Sequence, residues 1–155
     1  MAGKIDTRLK QLGITLPPAA SPVANYVPFV KTGNLVFVAG QIPLLNGAVH
    51  YTGIVGQDVT VEEAINAARL CALNILAQAK TACDGDLDRI VRVVKLTGFV
   101  AAGPHFAEHP KVINGASDLM VEVFGDAGRH ARAAVGSSSL PRGVPVEVDA
   151  IFEVA

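Results

Sequence analysis

Residues 130–154 read HARAAVGSSSLPRGVPVEVDAIFEV, and two runs within that stretch decide the fold. In the second run, Val144 to Val154, Val146, Val148, Ala150, Phe152 and Val154 fall on one side of an extended chain. Glu147, Asp149, Ile151 and Glu153 fall on the other. Side chains of a strand point alternately to opposite faces, so this pattern predicts a strand with one face packed on a core. The first run, about Ala131 to Ser137, predicts a second strand and sets Arg132 among Ala131, Ala133, Ala134 and Val135. A guanidinium even partly buried there needs a partner, because leaving it unpaired costs several kcal/mol. Two partners fit. One is an ion pair with Glu147, Asp149 or Glu153 across a terminal hairpin. The other is the carboxylate of a small ligand, reached through the opening that small neighbours leave and held by the planar guanidinium fork.

Working outward, two further β-runs, YVPFVKT from Tyr26 and LVFVAGQ from Leu35, flank Gly33-Asn34, a two-residue hairpin signal. Ile42 to Asp58 reads as a glycine-containing excursion rather than an element. Thr60-Val-Glu-Glu63 has the form of a capping box. Behind it Val61, Ala64, Ile65, Ala68, Ala72, Ile75, Leu76 and Ala79 recur at helical spacing, and the Asp84-Gly-Asp86 run stops the helix. Arg89 to Ala101 is rich in β-branched residues and predicts a strand. Pro110 suits a helix start, and Val112, Ile113, Ala116, Met120 and Val123 form an apolar stripe up to Gly125. The order ββαβαββ implies an α+β layer with two helices on one face of the sheet. Residues 1–22, Pro-rich toward their end, are expected to wrap over the surface or form a short helix, with a single domain over 23–155.

Composition narrows the function. The chain has 155 residues, 50% hydrophobic and 17% charged, which argues against disorder and for association through an apolar face. Thirteen Lys and Arg against 14 Asp and Glu, no Trp and 5% aromatics leave no cationic or stacking footprint, so no nucleic acid partner is expected. No apolar run reaches the roughly 18 residues of a membrane span, and the start carries no signal-peptide core, so a cytoplasmic protein is expected. Cys71 and Cys83 are expected as buried thiols, since twelve helical residues set them about 18 Å apart. His105 and His109 have a four-residue interval but no further ligand, and Pro110 starts the helix beside them, so no metal is expected. Gly136-Ser-Ser-Ser139 lacks a nucleophile elbow, and GNLVFVAGQ lacks the spacing and the lysine of a phosphate loop. No cofactor is expected.

Two motifs carry a family resemblance. GNLVFVAGQIPL follows the first turn, and Ala131-Arg132-x-x-Val135 is followed by Leu140-Pro141 and Val146-Glu147-Val148, with fifteen positions from arginine to glutamate. On these the chain, from about Tyr26 onward, resembles the Rid or YjgF family of enamine and imine deaminases, often labelled L-PSP endoribonucleases. The resemblance implies a chorismate-mutase-like fold, with a mixed, largely antiparallel sheet, and a homotrimer whose clefts lie between subunits. It implies hydrolysis of 2-enamino and 2-imino acids to 2-keto acids and ammonia. Residue by residue, Arg132 matches the carboxylate-binding arginine, Glu147 the acid that positions water, and Tyr26 a pocket-lining tyrosine. Gly40 matches the glycine of an SGQ-like turn, and Asn114 a substrate-side asparagine, with a connection to the next strand one residue longer. Ala39 stands where the family has serine and Ala134 where it has cysteine, so side-chain contacts at those two substrate-side positions differ and a sister branch is implied. A trimer that binds small carboxylates without catalysis, and last a ribonuclease, are the competing functions.

Overall fold

The capping box forms as the sequence requires. Thr60 Oγ1 accepts the Glu63 amide at 3.1 Å while Glu63 Oε1 accepts the Thr60 amide at 3.1 Å. These belong to a computed structural model that describes residues 3–22 and 24–155. Met1, Ala2 and Val23, the last being the predicted start of the domain, lie outside the described residues. The elements are α1 (Lys4–Gln11), β1 (Phe29–Thr32), β2 (Leu35–Gln41), β3 (Leu44–Leu45) and β4 (Ala48–Val49). Then come α2 (Val61–Ala82), β5 (Ile90–Ala101), α3 (His109–Phe124), β6 (Ala131–Ser137) and β7 (Val146–Val154). A five-stranded sheet runs in the order β1-β2-β7-β5-β6. Its pairs are antiparallel except β5 with β6.

The predicted α+β layer with a mixed, largely antiparallel sheet is observed, and α2 and α3 pack on one face of it. The core lies between them: Phe152, Val148 and Val146 of β7, Leu96 and Val100 of β5, Ile75 and Leu76 of α2, and Ile113 and Leu119 of α3 are all 0% exposed. Each such side chain contributes about 1.5–3 kcal/mol on burial. The alternation read in β7 holds along its whole length, strictly buried and half-buried in turn.

Two expectations are corrected. No hairpin joins the last two strands. β6 lies at the sheet edge, parallel to β5, and β7 lies in the interior between β2 and β5. Parallel neighbours need a long crossover, and α3 supplies it, carrying the chain back to begin β6 beside β5. The stretch from Ile42 to Asp58 holds a small hairpin, β3 with β4, whose turn residues Asn46 (φ 53°) and Gly47 (φ 80°) both adopt the positive φ that a two-residue turn demands. Of the two readings of residues 1–22 the short helix forms, as α1, with Ile5 and Leu9 buried in the same core.

Two buried amides on α2 hold the loops near the sheet's β2 end. Asn74 Nδ2 donates to the carbonyls of Leu44 at 3.1 Å and Leu70 at 2.9 Å, and Gln78 Nε2 donates to Ala20 O at 2.7 Å. Both side chains are nearly water-free, so these bonds offset the cost of burying them. Cys71 and Cys83 are free and buried as expected.

Candidate active site

Arg132 leaves β6 on the helix-covered side of the sheet. Its cross-strand partner is Leu96, which in turn pairs with Ala150, and both are buried under the helices. From there the guanidinium meets α3 rather than an acid. Nη1 donates to Asn114 Oδ1 at 2.8 Å and to Ser117 Oγ at 3.2 Å, and Nη2 donates to the Pro110 carbonyl at 3.3 Å. Among the described residues no carboxylate pairs with it; the ion pairs found join other residues. Of five N–H donors, three are engaged, and Nε–H with one Nη2–H remain. Two donors match the two oxygens of a carboxylate. Next to the guanidinium is an open cavity of about 280 Å³, lined by Ser117, Asp118, Val121, Arg129, His130 and Arg132.

The ion pair considered from the sequence, Arg132 with Glu147, Asp149 or Glu153, is therefore not formed. The reason is topological. Glu147 pairs with Phe99, and Phe99 with Val135, all on the face of the sheet away from the helices. Arg132 and Glu147 thus lie two strands and three residues apart, roughly 14 Å along the sheet, and point to opposite faces.

Glu147 has its own surroundings. Its carboxylate lies against Gly40, so closely that a Cβ on Gly40 would force the Glu147 carboxylate to shift. Burial pushes the Glu147 carboxyl up from its ordinary range, and the charge of Asp149, two residues on along the same face, adds to the effect. Asp149 is raised as well, by burial, against hydrogen bonds from Thr97. Tyr26 and Gly40 line a small cavity of about 60 Å³ together with Gln78 and Arg142. Tyr26 itself is exposed.

The candidate residues therefore form two half-sites. Arg132, Asn114 and Ala134 share the helix side at the sheet edge, with Ala134 two residues along β6 and packed against the core. Glu147, Gly40 and Tyr26 gather around β2 and β7. Reading the sequence missed Ser117, His130 and the Pro110 carbonyl. A signal existed for two of them: Ser117 is three residues after Asn114 on the same helix face, and His130 is two before Arg132 on the same side of the strand.

The fold agrees with what comparison finds. Residues 6–148 match the family model described as "YjgF/chorismate_mutase-like, putative endoribonuclease". The chain belongs to this YjgF family. The match takes in most of α1, where the sequence motifs placed the resemblance only from Tyr26 onward. Protein TCP17 of Trypanosoma cruzi is 49% identical over 154 residues, 99% of this chain and 96% of that one. The crystal structure of an Agrobacterium tumefaciens protein of unknown function is 57% identical with a TM-score of 0.91, covering 97% of this chain and 92% of that one. A more distant relative, from Dermatophagoides farinae, is named 2-iminobutanoate/2-iminopropanoate deaminase and is 27% identical over 142 residues, 91% of this chain and 94% of that one.

Proposed function

We propose that this protein hydrolyses 2-imino and 2-enamino acids to 2-keto acids and ammonia in clefts between the subunits of a homotrimer. Arg132 holds the substrate carboxylate and Glu147 positions the water. The observation that carries this reading is the bracing of Arg132. Asn114, Ser117 and the Pro110 carbonyl fix the guanidinium, no acid neutralises it among the described residues, and two donors are left for a ligand. A carboxylate held in that fork has its C2 carbon fixed in place, and orientation of this kind is worth several kcal/mol of barrier.

The water-positioning half comes from another chain, because one chain turns Glu147 to the opposite face of its sheet. A Glu147 carboxyl raised by burial can give up and regain a proton nearer neutral pH than an exposed one. Exposed apolar residues on that outer face support association: Phe37 is 42% exposed, Val30 51% and Val135 45%. The deaminase named among the relatives supports the reaction class. The imine carbon is already electrophilic, so acid–base groups and an oriented water suffice and no cofactor is required. Ala134, where the family has cysteine, widens the space beside the fork.

The test generates the imine in situ with an amino-acid oxidase and follows keto-acid release against a no-enzyme control. Wild type should exceed the control. Arg132→Ala should fall to it, and Arg132→Lys should recover little, because an ammonium keeps the charge and loses the fork. Glu147→Gln should bind the keto-acid product with nearly unchanged affinity while turning over slowly. If wild type only matches the control while still binding keto acids, the protein is a carboxylate-binding trimer and not an enzyme.

A further inference from the structure

We infer that Ser117 and His130 are the proton relay of the Arg132 half-site, an inference that rests on the imine-hydrolase reading. His130 Nδ1 lies 2.6 Å from the Gly128 carbonyl. A carbonyl only accepts, so Nδ1 carries the hydrogen, and whenever the ring is neutral Nε2 presents a lone pair. Ser117 Oγ is 2.9 Å from that Nε2, so its hydroxyl donates to the ring. Arg132 Nη1 donates to the same Oγ at 3.2 Å. The serine hydroxyl therefore has its proton directed at a base, one lone pair facing a cation, and a second lone pair left to accept. This is the arrangement of a base-activated hydroxyl whose base is oriented by a third group. It stands directly beside the guanidinium assigned to the substrate carboxylate. Asp118 and Arg129 are the other charged groups lining the same cavity.

The hydrolysis needs what this pair offers. Water forms a C–O bond at C2 of the protonated imine, and the π electron pair of C=N moves to nitrogen. The attacking water releases a proton to Ser117 Oγ as the serine proton passes to His130 Nε2, leaving a neutral carbinolamine and an imidazolium. The relay then runs in reverse and protonates the amine. The C–N bond breaks while an oxygen lone pair forms C=O, and the hydroxyl proton goes to the departing ammonia, which leaves as ammonium. No oxidant or further reactant enters. The glutamate from the neighbouring subunit orients the water in this scheme, and the Ser117–His130 pair carries its proton.

Two measurements test the relay. In the keto-acid assay, Ser117→Ala and His130→Gln should lower kcat by about 10²–10³-fold with KM within a few-fold of wild type. Ser117→Thr, which keeps a hydroxyl, should restore most of the rate, and His130→Gln should lose the acidic limb of the kcat–pH profile. A rise in KM with kcat and pH profile unchanged would reduce the pair to a brace for Arg132 and overturn the relay. An active wild type with unaffected variants also removes the relay and leaves the hydrolase standing. A wild type no faster than the control removes both. Independently of activity or folding of variants, long-range ¹H–¹⁵N NMR of wild type should show His130 as the Nδ1–H tautomer. An Nε2–H tautomer would make Ser117 an acceptor, and the relay could not run.

Discussion

Glu147 occupies an awkward place for a single side chain. It is half-buried, faces Asp149 along the strand, and has no cationic partner among the described residues. Its folded-state pKa is raised, so protonation favours the native state. That stability is fully present below the ordinary glutamate range and is lost as pH rises through the folded value. Glu147→Gln removes the penalty of the charged form. It should melt higher than wild type at pH 8, by no more than about 1 kcal/mol after solvent screening, or on the order of 2–4 °C. The difference should shrink toward zero near pH 4, as paired thermal scans across pH would read. A difference independent of pH would mean that the Glu147 carboxyl titrates alike in the folded and unfolded chain, and a wild type that melts higher than the variant at pH 8 would mean that a cation pairs with it in solution. Arg132 is the opposite case, a charge that donates its hydrogen bonds to neutral groups on one helix. Asn114→Ala should therefore weaken keto-acid binding by roughly 10-fold while leaving the fold intact, as calorimetry would measure.

Elements in this chain are stabilised by distant parts of it. Helix α1 has Gly3 at its N-cap and no side-chain cap of its own. Asp88, in the turn just before β5, supplies one: its two oxygens accept the amides of Lys4 and Ile5 at 2.8 Å each. Those bonds hold the Asp88 carboxyl below its usual range, so their contribution is present at neutral pH and fades as pH falls through the lowered value. Asp88→Ala should speed amide exchange across α1 and leave exchange in α2 unchanged. The pairing of α2 with α3 depends on contact of another kind. A Cβ at Gly115 would strike the Ile65 carbonyl, so the two helix backbones approach as only glycine permits. Gly115→Ala gains helix propensity yet should destabilise the protein by about 1–3 kcal/mol, through overpacking that pushes α3 outward. Because α3 carries Asn114 and Ser117, the same change should also lower keto-acid affinity.

At the scale of the whole molecule, the outer sheet face is mixed. Phe37, Val30 and Val135 are exposed on it beside the acidic row of Glu147, Asp149 and Glu153. The proposed trimer would cover those apolar side chains and bring one chain's Glu147 toward another's Arg132. Light scattering should give three times the 16.1 kDa chain mass. Phe37→Asp should dissociate the assembly and abolish imine hydrolysis together, since neither half-site acts alone. A monomeric wild type at micromolar concentration would remove both the trimer and the shared cleft.

What the amino-acid order determined by itself was local. The Thr60 capping box, the strict alternation of β7, the Gly33 turn and the apolar stripe behind Pro110 all rest on contacts within a few residues, and each formed where it was read. The turn at Asn46-Gly47 was equally local and was passed over because its strands are only two residues long. The resemblance carried by Arg132 and Glu147 led to the right family, yet the fifteen positions between them suggested neighbours across a hairpin. Only the tertiary structure decided otherwise. The α3 crossover makes β6 an edge strand parallel to β5, and β7 enters the interior of the sheet, so the arginine turns toward the helices and the glutamate away from them. Strand order depends on which helix covers which face, a long-range packing outcome that no periodicity encodes. The same packing sets Ser117 of α3 against His130 and Arg132 at the β6 edge.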